Sequence, residues 1–344
     1  MRASQYLATA AAFLSCALYA NISAHAQSKW HLEKTFEIGG PGGMDYLTVD
    51  SATHRLYVPR VTHTLVIDGV SGKILGDIPG QQKAHGVALV PKLNRGFITD
   101  GGGNGAVVVF DLKTNSILGT ITAQPDADGI IYDPGSDRIL VSAGDSNSLI
   151  TIKPDIDPKS GKIEPPIELG GAPEFLAADG AGKAYVNLED KNTVAVVDLK
   201  TRKVTARWPV APGGSPVGMA IDTRSHALLI GFRKPQKMIV MSTESGKVLA
   251  DLPIGAGVDA TKVDLGEGFA SCGDGTLAVI RKSSAGKYEV VESLQTKRGA
   301  KTMGIDTVSH KIFMPTADFE DQKPGTNGRP VAKPGTFKIL VVSR

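Results

Sequence analysis

Residues 172–211, APEFLAADGAGKAYVNLEDKNTVAVVDLKTRKVTARWPVA, hold four short alternating apolar runs: 175–178, 184–187, 194–198 and 204–209. They are parted by Asp179-Gly180-Ala181-Gly182, Asp190-Lys191-Asn192 and Lys200-Thr201. Runs of this length, rich in Val and Tyr and broken by Gly, Asp and Asn, predict an antiparallel four-stranded meander. A single sheet of that size cannot cover both its faces, so the unit requires neighbours of its own kind.

The rest of the chain supplies them. Units at 43–79, 84–122, 126–169, 215–254, 258–296 and 300–344 follow the same plan at a spacing of about forty residues. The third is stretched by 154–166, whose four prolines mark a surface loop. The seventh supplies strands at 302–305, 311–315 and 337–342, then stops where a fourth is due, while residues 30–38 form a strand without the other three. The expectation is an all-β, seven-bladed β-propeller whose last blade is closed by the N-terminal strand. The 40 Gly, 20 Pro and only 6% aromatics fit a turn-rich β chain. The net charge of +3 by itself points to neither nucleic acid nor a membrane surface.

The first residues read differently. Arg2 precedes an acid-free apolar stretch, 6–20, and then Ala24-His25-Ala26, a small-x-small cleavage pattern. This predicts a signal peptide over 1–26 and one propeller domain over 27–344, soluble, monomeric and periplasmic or secreted. The alternative is lipid modification of Cys16. No later stretch is long and apolar enough for a membrane span. Removal of the leader leaves Cys272 alone, so no internal disulfide forms, and the reading for that thiol is a small buried side chain rather than a nucleophile.

One turn recurs: Asp68, Asp111 and Asp198 each end a third strand ahead of Ser, Thr or Gly. Such aspartates are expected to cap turns through backbone amides rather than to catalyse. His54, His226 and His310 fall at one repeat position in Asp-x-x-x-His turns that begin at Asp50, Asp222 and Asp306, so they are repeat residues on separate blades and not a metal cluster. Gly255-x-Gly257-x-x-Ala260 resembles a dinucleotide fingerprint but precedes no helix.

The segments Pro216-Val217-Gly218-Met219-Ala220-Ile221-Asp222, Lys183-Ala184-Tyr185-Val186-Asn187, Asn192-Thr193-Val194-Ala195-Val196-Val197-Asp198 and Gly246-Lys247-Val248-Leu249 resemble the forty-residue YVTN repeat of YncE-like periplasmic propellers. The resemblance runs over the whole mature chain and implies an exported propeller. It is specific for fold and weak for function, because these are packing and turn positions. Related propellers include sugar lactonases and antibiotic lyases that use a metal in the central funnel, but no motif carries their catalytic residues onto this sequence. The absence of blade-ending Trp-Asp pairs argues against the Trp-Asp repeat class.

Aligning the units on the end of the first strand (Asp50, Pro91, Asp133, Asp179, Asp222, Asp264, Asp306) places equivalent residues around the ring. Five residues earlier, at the rim of the central channel, stand Asp45, Gly86, Asp128, Glu174, Val217, Asp259 and Lys301, with His85 one step before Gly86. Carboxylates converging on one axis repel unless a cation or a ligand balances them. Asp45, Asp128, Glu174 and Asp259 are therefore candidate ligands for a hard divalent cation, Ca²⁺ or Mg²⁺, while Zn²⁺ or Cu²⁺ calls for more nitrogen than His85 alone offers. The alternative is a water-filled channel with solvated carboxylates and Lys301 neutralising a neighbour.

Loops on the same face are expected to carry Arg60, His63, Asp100, Asn187, Arg233, Cys272 and Thr316, with Arg60 and Arg233 suited to an anionic group on a ligand. The long loop 317–335 reads as a lid or a surface insertion. Three functions follow. The first is binding of a small polar ligand in the funnel, with a metal-dependent lactonase or lyase as its enzymatic form. The second is a non-catalytic scaffold for another periplasmic protein. The third, single-stranded nucleic-acid binding, is opposed by the acidic rim.

Overall fold

The computed structural model describes residues 29–321 and 330–344. The expected leader, Cys16 and positions 322–329 of the long loop lie outside them.

The described residues form seven four-stranded antiparallel blades, each following the meander read from the repeat. The closing strand is where the repeat count requires it. His31–Glu37 pairs antiparallel with Lys338–Ser343, in register from His31 opposite Ser343 to Glu37 opposite Lys338. The seventh blade is thus built from both ends of the chain.

Alternation dictates what each strand does. Second and third strands such as Lys183–Leu188 and Thr193–Asp198 lie between neighbouring strands with both faces covered, and almost every residue in them is buried. Fourth strands such as Lys203–Pro209 and Tyr288–Gln295 alternate exposed and half-buried residues, as an outer edge facing water on one side should. The apolar faces meet between blades. Seven hydrophobic clusters fill the seven blade interfaces, including Phe36, Phe313 and Ile339 of blade seven against Leu56 and Ile67 of blade one. Each fully buried Val, Leu or Phe contributes about 1.5–3 kcal/mol, so the interfaces, not the isolated sheets, hold the ring.

Two local features depart from the repeat. Blades one and two share a single uninterrupted strand, Ile74–Val90, where the sequence predicts separate strands at 74–78 and 86–90. The crossing stays extended because Ala84 pairs with Val61 of blade one and with Asp100 of blade two. The loop 154–166 is more than a surface excursion. Ile156 and Ile163 pack on the core between blades two and three, and Arg95 donates to the Pro154 and Ile156 carbonyls at 3.2 and 2.8 Å.

The turn aspartates behave as capping groups. Asp68 accepts from the amides of Val70 and Ser71 at 2.9 and 2.7 Å, and Asp111 from those of Lys113 and Thr114 at 2.9 and 2.8 Å. Asp198 accepts from the Thr201 amide at 2.7 Å. The amide bonds hold all three carboxyls below the usual carboxylate range. The repeat histidines acquire a role that sequence did not supply. His54 Nδ1 lies 2.5 Å from Asp306 of blade seven, and His310 Nδ1 lies 2.8 Å from Asp264 of blade six, so each staples its blade to the preceding one.

Candidate functional site

The innermost strands begin at one face of the ring, and what they carry there is fixed by hydrogen bonds between blades. Thr99 Oγ1 donates to the Asp128 carbonyl at 2.6 Å, Asn187 Nδ2 to the Val217 carbonyl at 2.8 Å, and Ser271 Oγ to the Lys301 carbonyl at 2.6 Å. Thr302 Oγ1 donates to the Asp45 carbonyl at 3.1 Å, which carries the pattern across the closure. Small polar side chains on one blade therefore position the rim residue of the next.

At this rim the predicted ring divides in two. In the first group, His85 Nδ1 lies 2.7 Å from Asp45 Oδ2 and 3.6 Å from Asp128 Oδ1. One ligand atom from each of the three residues falls within 4.8 Å of the other two. These groups come from blades one, two and three. Gly86, which holds the rim position in blade two, has no room for a side chain, since a Cβ there would lie 2.9 Å from Ile130. His85, one residue earlier, takes the place. Its Nε2 is buried without a partner beneath Gly101, so Nδ1 is the nitrogen that faces the carboxylates.

The second group is a salt-bridge cluster. Arg233 Nη2 lies 2.8 Å from Asp259 Oδ1, and Nη1 lies 3.4 Å from Glu189 and 3.6 Å from Glu174. Lys301 Nζ lies 2.5 Å from the other oxygen of Asp259. Asp259 is thus held between two cations, and Glu174 faces one. The four-carboxylate ligand set expected from the sequence is corrected: Glu174 and Asp259 are committed to Arg233 and Lys301, while His85 joins Asp45 and Asp128. Glu189 was not foreseen. It sits in a short 3₁₀ turn, Glu189–Lys191, in the loop between the second and third strands of blade four, where only its loop position signals a rim residue.

The charges record how crowded the rim is. Burial, reinforced by Asp45, Asp126 and Asp259 against the opposing effect of His85, pushes the Asp128 carboxyl up to about 6. Burial, with Glu189 close by, pushes Glu174 up to about 8 despite Arg233. Burial works against a charged His85, but the Asp45 hydrogen bond and the charge of Asp128 hold the imidazole above its ordinary value. For Arg233 burial is likewise outweighed, by Asp259 first, and the guanidinium stays firmly charged. Both carboxyls are displaced upward chiefly by burial, with neighbouring carboxylates adding to it.

Tyr46 forms the floor of the rim. Its ring stacks on Phe175 at 4.7 Å between centroids with a 26° interplanar angle, and its hydroxyl donates to the Asp259 carbonyl at 2.6 Å. Burial and then the nearby carboxylates, Asp259 foremost, raise its phenol above the ordinary value. Both rings also line a cavity bounded by residues further along the innermost strands, Val49, Leu89 and Ile131 among them.

The other predicted rim residues have structural work. Arg60 is fully buried. It donates to the carbonyls of Gly43 at 2.6 Å, Pro41 at 2.7 Å, Gly42 at 3.1 Å, Gly39 at 3.3 Å and Gly40 at 3.5 Å, and its guanidinium lies 3.7 Å from the Phe337 ring centroid. The ligand role read for Arg60 is therefore withdrawn, because its donors are already engaged by the loop that leads from the closing strand into blade one. Burial lowers its pKa to about 10, leaving it charged at neutral pH. Asp100 accepts from the amides of Gln82, Lys83 and Gly102, and Thr316 donates to the Arg298 carbonyl. Cys272 is buried, and burial pushes its thiol up to about 12, in line with the inert reading. At the base of the loop 317–335, Phe319 bridges to Ala332, the ring of Phe319 packs on Gly299, and Lys338 pairs with Asp318 at 3.0 Å.

No protein-family description matches the sequence, and no curated protein matches it. Solved structures do. A crystal structure of RRP9 WD40 repeats superposes with a TM-score of 0.75 at 11% identity, covering 90% of this chain and 97% of that one. A streptogramin B lyase structure superposes with a TM-score of 0.69 at 14% identity, covering 91% and 98%. A mitotic checkpoint complex structure gives 0.72 at 12% identity, covering 97% and 98%. At such identities the likeness establishes the β-propeller fold alone. No helix among the described residues is long and apolar enough to cross a membrane.

Proposed function

We propose that this chain is an exported propeller of the YncE-like kind that binds a small polar ligand at the rim of its central channel, through a divalent cation held by Asp45, His85 and Asp128. The observation that carries the reading is the convergence of three ligand-type side chains, from three successive blades, to within 4.8 Å. Ligand atoms sharing one ion at bonds of about 2.0–2.2 Å stand roughly 3–4 Å apart; the His85–Asp45 and His85–Asp128 separations of 2.7 and 3.6 Å bracket the lower part of that range, so small side-chain shifts would bring the set onto an ion. Among the described residues the rim carboxylates Asp45, Asp128, Glu189 and Asp259 outnumber the cations paired with them, Arg233 and Lys301, with the titratable His85 between Asp45 and Asp128, which leaves negative charge for a cation to balance. With one imidazole beside two carboxylates, the donor chemistry favours Mn²⁺ over the all-oxygen preference of Ca²⁺, and one nitrogen remains too few to single out Zn²⁺.

When bound, such an ion supplies Lewis-acid polarisation of a carbonyl or ester oxygen, the chemistry a lactonase or lyase requires. The chain's own residues then have distinct duties. Asp45 and His85 orient one another, Tyr46 closes the floor against water, and Lys301, the more exposed of the two rim cations, offers a donor to an anionic group of the ligand. Calorimetric titration of chelator-treated protein with Mn²⁺, Zn²⁺, Mg²⁺ and Ca²⁺ tests the reading. One-to-one binding that weakens at least tenfold in Asp128→Asn, with the fold intact, is the expected result. Wild-type protein that takes up none of the four ions would transfer the assignment to the scaffold reading.

A further inference from the structure

Beyond the Tyr46–Phe175 pair the channel opens into a cavity of ≈300 Å³. Its wall mixes apolar side chains, Val49, Leu89, Ile131 and Phe175 among them, with the polar groups of Thr48 and Tyr132, and the one charged group that lines it is Lys262. The ammonium lies 5.2 Å from the Phe175 ring centroid. Among the described residues it has no hydrogen-bonding or ion-pair partner, in a protein whose other channel cations, Arg233 and Lys301, are both engaged by carboxylates. Burial alone, with no charged neighbour contributing, lowers the Lys262 pKa to about 8.

A lysine set into an apolar wall without a counter-ion costs stability unless something neutralises it. Lys262 is half-buried, its ammonium lies over the face of Phe175, and no carboxylate among the described residues pairs with it. The register repeats the point: at the third position beyond the rim, Thr48, Leu89, Ile131, Ala177, Ala220 and Gly304 are uncharged, and only Lys262 breaks the pattern. The volume lies at the small end of the range for ligand pockets.

We infer that this second compartment is a binding site for a small apolar monocarboxylate, whose carboxylate pairs with Lys262 and whose body packs on Tyr46, Phe175 and Ile131. A single cation selects a single negative charge, and the aromatic and aliphatic wall excludes a strongly hydrated body. The site engages Lys262 rather than the rim carboxylates and does not depend on a metal being bound at the rim.

The test uses benzoate and hexanoate as probes, with benzamide and hexanamide as neutral counterparts of the same shape, titrated calorimetrically into the full protein. Carboxylate binding at least tenfold tighter than amide binding, abolished in Lys262→Met, supports the assignment. Leu89→Phe, which narrows the cavity and keeps the lysine, should weaken both probes, and it serves as the deciding variant if Lys262→Met fails to fold. Equal affinity for acid and amide, no measurable binding of either acid by wild type, or affinity unchanged in Leu89→Phe would overturn the inference. Chelator treatment that leaves benzoate affinity unchanged separates this site from any at the rim.

Discussion

Replacing Arg60 by Met tests whether the closure of the ring rests on one side chain. The guanidinium makes short bonds to the Gly43, Pro41 and Gly42 carbonyls at 2.6, 2.7 and 3.1 Å, longer ones to Gly39 and Gly40, and stacks on Phe337. Gly42, at φ +92°, allows the loop to wrap this closely, because a Cβ there would lie 2.4 Å from the Arg60 carbonyl oxygen. A hydrogen bond to a charged donor contributes about 1.5–3 kcal/mol, and the stacking about 0.5–2 kcal/mol. Against these stands the desolvation of the guanidinium, visible in its lowered pKa. Met restores the packing but gives the carbonyls no donor, so the loop must detach to regain water. The expected loss is about 3 kcal/mol in urea unfolding, with faster amide exchange concentrated in His31–Glu37. Arg60→Lys, with one compact ammonium in place of a planar fork, should recover less than half of it. A loss below about 0.5 kcal/mol with unchanged exchange in the closing strand would refute the reasoning.

Two further outcomes are expected. Because Glu174 is raised from 4.5 to about 8, the folded chain keeps that proton while the unfolded chain releases it. Chelated protein should therefore lose stability as pH rises from about 4.5 to 8, by up to about 5 kcal/mol from this group, and Glu174→Gln should flatten the slope; an unaltered slope in the variant would count against it. The leader lies outside the described residues, and N-terminal sequencing of exported protein should find a start near Gln27; retention of residues 1–26 or a lipid on Cys16 would exclude the cleavage site proposed.

The architecture was legible because a propeller writes its geometry as repetition. Four runs per forty residues, a seventh unit missing a strand and a spare strand at the other end leave little freedom. The rim was legible for a related reason: register alone brings Asp45, Asp128, Glu174 and Asp259 to one axis. How they pair was not, because that depends on which loop cation reaches which carboxylate. Arg233 reaches Asp259, and nothing in the register says so. Arg60 was misread since an arginine in a rim loop looks the same whether it faces solvent or turns inward. The glycine-rich run Gly39–Gly43, which offers five carbonyls at close range, is what decides it. Lys262 was passed over because the reading stopped at the rim positions, and only the fold shows its ammonium set against Phe175 without a carboxylate partner.

Closing the seventh blade with His31–Glu37 also sets an order of events during synthesis. This strand is among the first parts of the domain to be made, and its partner, Lys338–Ser343, is the last. Until Lys338–Ser343 emerges, the N-terminal strand has no ladder to join and the first blade no completed neighbour on one side. Bringing the two ends together closes a loop of nearly the whole chain, at an entropic cost on the order of 5 kcal/mol. The Arg60 clasp and the His54–Asp306 staple act at this joint. A chain cut short before Lys338–Ser343 therefore leaves a ring with an open seam, so the strand made late in synthesis decides whether the strand made early ever finds its ladder.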